Sequence, residues 1–368
     1  MKTKRINMQK KTFSCIVING KFLEQKITGV QRFAWEVTKK LDEQASQFGL
    51  KVYLAISPAV KNSALPDLKN IETITVGKSK GIRWEQIHLA KFIRKNNALG
   101  LHFCNAVPFF APKGIAALHD ISYKVNPEFV TTTKHKIIRI WHLIQQRACA
   151  KKTLAVLTVS EFSRNQISEV YKIPKEKITV VYNGWQHFNG NIPDEPIEKD
   201  FPFLHQKDFY YCMATLAKNK NFEWIKKAAA FNPQSTFAVA GHLDFKKHAV
   251  NFTEADLPKN LHYLGYVSDE QAKRLMKNCK AFLFPSLYEG FGLPPLEAMS
   301  MGAPAICSNA ASLPEIYKDS AHYIDPYNAE INLDELLTQP VSDPKEILAF
   351  YSWEKTATLI AGVVKNIL

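Results

Sequence analysis

Apolar residues in this chain fall in short continuous runs, separated by longer stretches in which they recur at helical spacing. In the first half the runs are FSCIVIN (13–19), KVYLAIS (51–57), IETITV (71–76), GLHFCNA (100–106), IAALHDI (115–121), LAVLTVS (154–160) and KITVVYN (177–183). The second half repeats the grammar with FYYCMATL (209–216), STFAVAGH (235–242), NLHYLGYV (260–267), KAFLFPS (280–286), PAICSN (304–309) and AHYIDP (321–326). A run without polar alternation is a strand buried on both faces, and the amphipathic stretches between such strands supply the covering helices. Those stretches are 30–47 and 134–150, then 221–230, 268–278, 295–302 and 312–318. Ser268 with Gln271 makes a capping-box start, and Ser160 stands where a helix cap is needed after LAVLTVS. The alternation predicts an α/β protein built of two parallel, Rossmann-like sheets.

One segment interrupts the pattern. WQHFNGNIPDEPIEKDFPF (185–203) is rich in Pro, Asn and Gly and reads as a linker. The expected division is a first domain over 1–185, a linker over 186–207, a second domain over 208–350 and a last helix over 351–368. Two facing domains leave a cleft at the carboxyl ends of their strands, where ligands bind in such sheets. In the stretch 134–150, Ile137, Trp141, Ile144 and Ala148 share a stripe, with Lys134, Arg139 and Arg147 among the other positions. We read it as a helix covering the sheet, with a membrane-surface helix as the alternative.

The length of 368 residues agrees with two domains, and no run of 18 apolar residues occurs. The basic start is followed only by the short run Phe13–Asn19 with no small-residue cleavage site, so a buried strand is expected there and a cytoplasmic protein. The six cysteines, Cys15, Cys104, Cys149, Cys212, Cys279 and Cys307, are scattered without a C-x-x-C and read as free thiols. Charge separates the halves. Residues 1–185 hold 31 Lys and Arg against 12 Asp and Glu, a balance of +19, while residues 186–368 hold 17 against 22, a balance of −5. A basic half suits nucleic acid, an anionic membrane surface or a phosphorylated substrate, or is simply a Lys-rich solvated surface.

The chemistry concentrates in LYEGFGLPPLEAMSMGAPAICSN (287–309), after KAFLFPS. Gly290, Gly292, Pro294 and Pro295 forbid a helix through the loop, while either proline suits a first helical position. A helix opening there makes Glu289 a loop carboxylate and puts Glu297 in the first turn. The backbone N–H groups around Phe291, Gly292 and Leu293 then precede a helix N-terminus, a natural phosphate cradle.

This stretch resembles the E-x7-E signature of retaining glycosyltransferases of the GT-B fold, family 4 type. Further resemblances follow in the family's order. TGVQRFAWEV (28–37) is similar to its N-terminal glycine loop and helix, and LHDISYKVNPEF (118–129) to its His-containing loop. TVSEFSRNQISEVYKIPKEKITVVYNG (158–184) resembles the segment before its linker, ATLAKNKNF (214–222) its phosphate-gripping lysine segment, and LGYVSDEQAKRLMKNCKAFLFPS (264–286) its nucleotide-base region. Together they span nearly the whole chain.

The resemblance implies roles. Glu289 accepts hydrogen bonds from the donor sugar's hydroxyls and Glu297 from the ribose, each carboxylate offering two oxygens to vicinal hydroxyls. Phe291, Gly292 and Leu293 meet sugar and diphosphate through their backbone, Lys220 neutralises the leaving diphosphate, Gly29 allows close phosphate approach and Val267 meets the base. His119 and its neighbour Asp120 lie near the reacting carbon, while Arg164 and Asn183 are candidates for acceptor or phosphate contacts. Many relatives carry two basic residues in the lysine segment; here Lys218 is the candidate for the second charge.

The implied activity is metal-independent transfer, with retention, of a hexose or deoxyhexose from a UDP-, GDP- or dTDP-sugar. No D-x-D pair occurs, and no cofactor beyond the donor is expected. The expected acceptor is a glycan, lipid-diphosphate-linked, in capsule or O-antigen assembly, with peripheral contact to an anionic inner membrane. Three rivals stand beside it: a sugar-nucleotide epimerase of the same fold, a non-catalytic partner subunit of another transferase, and a nucleic-acid binder. The last lacks a recognised motif, so no nucleic-acid partner is expected.

Overall fold

The computed structural model describes residues 13–61, 65–111, 114–130, 133–190, 195–241 and 253–368. The buried runs pair into two parallel sheets. The first holds β1 (Cys15–Asn19), β2 (Val52–Ile56), β3 (Glu72–Thr75), β4 (Ala98–His102), β5 (Ile115–Ala117), β6 (Ala155–Thr158) and β7 (Ile178–Val180), in the order β3-β2-β1-β4-β5-β6-β7. The second holds β8 (Phe209–Met213), β9 (Thr236–Ala240), β10 (Leu261–Gly265), β11 (Ala281–Phe284), β12 (Ala305–Ser308) and β13 (His322–Ile324), in the order β10-β9-β8-β11-β12-β13. Each predicted run holds one strand, although His242, the last residue of its run, lies outside the described residues. In both sheets the order turns back beside the first strand in sequence, β1 or β8, which makes these the crevice positions of doubly wound sheets.

Several local expectations are corrected. The predicted helix 30–47 stops as Gly29–Asp42, followed by a 3₁₀ turn at Ala45–Phe48. The Asp42 carboxylate accepts from the backbone N–H groups of Lys69, Asn70 and Ile71, so the side chain anchors a loop and the chain turns away. The helical stretch 81–95, with a π-turn at Trp84–Leu89, is not among the predicted elements. The stripe of the Thr133–Lys152 helix is also different: Ile137 is 67% exposed and Ile144 48%, with Trp141 half-buried. The helix covers the sheet only through its last turns, where Gln145, Gln146, Ala148 and Cys149 are buried. Side-chain placement of Lys134 lies outside the described residues.

The chain crosses between the domains twice. After β7 it runs through Gly184–Phe188, and residues 195–208 already pack on the second domain, where Arg274 pairs with Glu195 at 3.1 Å and with Asp200. The return is made by the Trp353–Ile367 helix, which buries Trp353, Ala357, Ile360 and Val364 and sets Trp353 edge-on to Phe33 of the Gly29–Asp42 helix. Both crossings are tied together: Gln186 accepts from the Trp353 N–H at 3.0 Å and donates to the Tyr351 carbonyl at 3.0 Å, and the Trp185 indole donates to the Leu348 carbonyl at 2.8 Å. Among the described residues no helix is long and apolar enough to cross a membrane, and all six cysteines are free thiols, five of them buried.

Candidate active site

The loop after β11 is held open by its own sequence. Gly292 has φ +87°, and a Cβ there would lie 2.4 Å from a Leu313 methyl. The Gly292 carbonyl accepts from the Tyr317 hydroxyl, and Ser312 Oγ donates to the Glu289 carbonyl at 3.0 Å. The helix then opens one or two residues earlier than expected, as Leu293–Ser300, with the two prolines inside its first turn. Glu297 therefore belongs to the second turn, and its carboxylate faces the cleft without being part of the N-terminal cap. This is because Gly292, in the left-handed region, takes the cap position itself.

Across the second sheet, the lysine segment is delivered by Asn221. This residue adopts φ +55° and donates through Nδ2 to the carbonyls of Pro285 (3.0 Å) and Pro326 (2.7 Å), tying the segment after β8 to the ends of β11 and β13. The Leu287 N–H donates to the Asn219 carbonyl at 2.8 Å. Lys220 Nζ then reaches Glu289 Oε1 at 2.8 Å.

The first domain brings His119 and Asp120. β5 ends at Ala117, so His119 lies just past the strand rather than within it, because its N–H turns to Asn105 Oδ1 at 2.8 Å. Its ring packs edge-on to Phe33 at 4.7 Å and its Nε2 sits 2.8 Å from the Phe103 carbonyl. A carbonyl only accepts, so Nε2 carries the hydrogen and Nδ1 is an acceptor. Burial lowers the imidazole pKa to about 4, against a smaller opposing effect of the Phe103 carbonyl, so the ring is neutral near pH 7 and cannot serve as a proton donor from a charged state. The Asp120 carboxyl is shifted upward, first by burial and then by the Glu289 charge, opposed by the Ser122 N–H and Lys220.

The domains meet at this point. Ser160, which caps the Glu161–Tyr171 helix as expected, also donates through Oγ to the Gly290 carbonyl at 2.6 Å. Glu315 of the second domain accepts from the N–H groups of Glu161 (2.7 Å) and Phe162 (2.8 Å), two donors that a helix start leaves without partners. Tyr288 donates to Gln166 at 2.6 Å.

Between the domains lies a cavity of about 440 Å³. Its lining brings together Gly29, His119, Asp120, Asn183, Lys220 and Val267 with Glu289, Phe291, Gly292, Leu293 and Glu297. The buried Asn183 Oδ1 has no protein partner. Two expected residues are not brought in: Lys218 is exposed on its 3₁₀ turn and does not line the cavity, and Arg164 pairs with Glu161 at 2.8 Å outside it. The second cation in the cavity is Arg32, which bridges the domains by pairing with Asp269 at 3.3 Å. Sequence reasoning missed it although TGVQRF had been singled out, and it missed His187, whose Nε2 lies 2.8 Å from Glu297 Oε1. Two helix N-termini, at Gly29 and Leu293, open into the same space and favour negative charge there.

Comparison with known proteins bears on the family and the fold. The profile of the family described as Glycosyltransferase Family 4 matches residues 27–186, and that of Glycosyl transferases group 1 matches residues 194–350. O-antigen chain mannosyltransferase B of Escherichia coli is 28% identical over 68% of this chain and 65% of its own length, so the match spans just under two thirds of that relative. O-antigen chain mannosyltransferase RfbU of Salmonella typhimurium is 24% identical over 74% of each. Sucrose-phosphate synthase from Thermosynechococcus elongatus superposes with a TM-score of 0.71 at 14% identity, covering 97% of this chain and 99% of that one. Anabaena Alr3699/HepE in complex with UDP and glucose superposes with a TM-score of 0.66 at 18% identity, covering 96% and 100%. At these identities the superpositions speak for the fold, which is the two-domain GT-B arrangement, and with the two family profiles spanning both domains the chain belongs to the family 4 glycosyltransferases.

Proposed function

We propose that this chain transfers a hexose from a nucleoside diphosphate sugar to a glycan acceptor in the assembly of a surface polysaccharide. The observation that carries the reading is the convergence of Lys220, Glu289 and Glu297 on one cavity between two helix N-termini. The names of the relatives point to mannose as the sugar. In this reading Glu289 receives the sugar's hydroxyls, Glu297 the ribose, and Lys220 with the N–H groups at Leu293 and Gly29 the diphosphate. The neutral His119 offers Nδ1 to a sugar hydroxyl. As the bond between the sugar carbon and the phosphate oxygen breaks, these fixed positive groups stabilise the departing diphosphate without a metal ion. The acceptor oxygen bonds to that carbon on the same face, and its proton passes to a departing phosphate oxygen, which retains configuration. Thermal unfolding with UDP-, GDP- and dTDP-sugars tests the reading. The matching donor at a hundred times its Kd stabilises by about 2.7 kcal/mol, and no shift with any of the three families of donor overturns it.

The acceptor in this reading is held on a lipid diphosphate at an anionic membrane surface. Ile137, Ile140 and Ile144 stand exposed along the Thr133–Lys152 helix, with Lys136 and Arg147 beside them, in the half of the chain whose balance is +19. Sedimentation with vesicles containing phosphatidylglycerol, but not with purely zwitterionic ones, is expected. Ile137→Ser, Ile140→Ser and Ile144→Ser combined lower that partition about tenfold or more; unchanged sedimentation sinks this surface as the contact.

A further inference from the structure

The carboxylates of Glu289 and Glu297 are held in different ways. Glu289 is paired with a cation, Lys220. The nearly buried Glu297 meets the imidazole of His187, whose side chain is itself only 4% exposed, with Nε2 2.8 Å from Oε1. On the other side of that ring, the Trp353 indole Nε1 donates to His187 Nδ1 at 3.1 Å. An indole N–H can only donate, so Nδ1 must accept, and the ring hydrogen is on Nε2, directed at Glu297. Glu297 itself accepts through Oε1, which leaves Oε2 available for a ligand hydroxyl.

We infer that Trp353 and His187 form a positioning relay that fixes Glu297 for the hydroxyl pair of its ligand, with the returning helix setting the imidazole tautomer. The inference rests on the reading that Glu297 meets a ribose. The physical reasons are three. An Nε2–H tautomer satisfies one carboxylate oxygen and fixes the rotamer, leaving the other to accept. A neutral donor does so without cancelling the negative charge, so a hydroxyl donating to Glu297 makes a charge-assisted bond. The three groups come from three places in the chain: the domain crossing (His187), the nucleotide-side helix (Glu297) and the helix that returns to the first domain (Trp353). The ribose contact is thereby anchored where the two crossings are strapped together by Gln186.

The test uses the full chain and calorimetric Kd values for GDP and UDP, each compared with its 2′,3′-dideoxy form. The wild type prefers the ribose form of its cognate nucleotide about tenfold or more. Trp353→Phe, which keeps an aromatic ring but removes the indole N–H together with part of the buried ring volume, weakens the ribose form about fivefold and leaves the dideoxy form unchanged. His187→Ala does the same more strongly, while His187→Gln, whose amide can donate to Glu297 without help from Trp353, recovers most of the preference. With the sugar donor, KM rises and kcat is held in the two weakened variants, as uniform binding requires. Equal loss of both nucleotide forms would mean general disturbance of packing and overturns the relay, as does an unchanged preference in both Trp353→Phe and His187→Ala. A wild type that binds nucleotide without distinguishing the ribose overturns the relay and leaves the nucleotide cleft standing. A wild type that binds dTDP alone, which lacks the 2′-hydroxyl, overturns the relay and leaves the cleft standing, and one that binds none of GDP, UDP and dTDP overturns both. Unfolding midpoints of each variant separate a loss of fold from these outcomes.

Discussion

Lys220→Ala lowers kcat about a thousandfold, the upper end of what removal of one fixed positive group from a leaving-group site costs. The lysine has two duties in the proposed reading: it sits 2.8 Å from Glu289, and it supplies the charge that meets the diphosphate. Lys220 arrives there because Asn221 and the Leu287 N–H clamp its segment to the β11 end, so the position survives the truncation and the loss is electrostatic. Lys220→Arg keeps the charge but not the reach and recovers only part of the rate. Glu289→Gln, measured alone and with Lys220→Ala, shows whether the two act as one unit. The double variant then loses much less than the product of the single losses. Steady-state turnover with the donor found by thermal shift is the measurement, and a Lys220→Ala rate within threefold of wild type removes the lysine from the chemistry.

Gly290→Ala lowers kcat about a hundredfold with each domain still folded. A Cβ at this residue would lie 2.8 Å from the His119 carbonyl and 3.1 Å from Asp120 Cβ, both in the other domain. Neither partner can retreat easily, since His119 is buried and bonded to Phe103 and Asn105. The added methyl therefore separates the domains at the point where, in the proposed function, His119 and Glu289 face one substrate, and a displacement of about 1 Å at such a site costs about two orders of magnitude. It also strains the Ser160 bond to the Gly290 carbonyl. Small-angle scattering with and without donor reads the closure directly. A variant that closes and turns over normally would show that the contact is incidental.

The strands and the site loop were legible because both rest on local rules. Continuous apolar runs name buried parallel strands, and Gly-Phe-Gly ahead of Leu-Pro-Pro reads as an irregular loop feeding a helix, whose start falls only one or two residues from the expected one. What escaped was set at long range. His187 stands in a stretch of Pro, Asn and Gly that sequence alone reads as a linker, and its partners are 110 and 166 residues away. Arg32 looks like an ordinary helix-surface arginine until Asp269 is brought opposite it. The outward stripe of the Thr133–Lys152 helix shows the limit of periodicity: it finds an apolar face without saying whether protein or something else covers it.

The returning helix carries a consequence for synthesis. Phe33, Val37 and Leu41 are buried in the same core as Trp353, Ala357, Ile360 and Val364. Chains fold from the N-terminal side as they emerge, so the first domain waits with an uncovered apolar face until residues 353–364 have been made. A chain interrupted within the second domain lacks the strip that covers Phe33, Val37 and Leu41 and is expected to aggregate through that face.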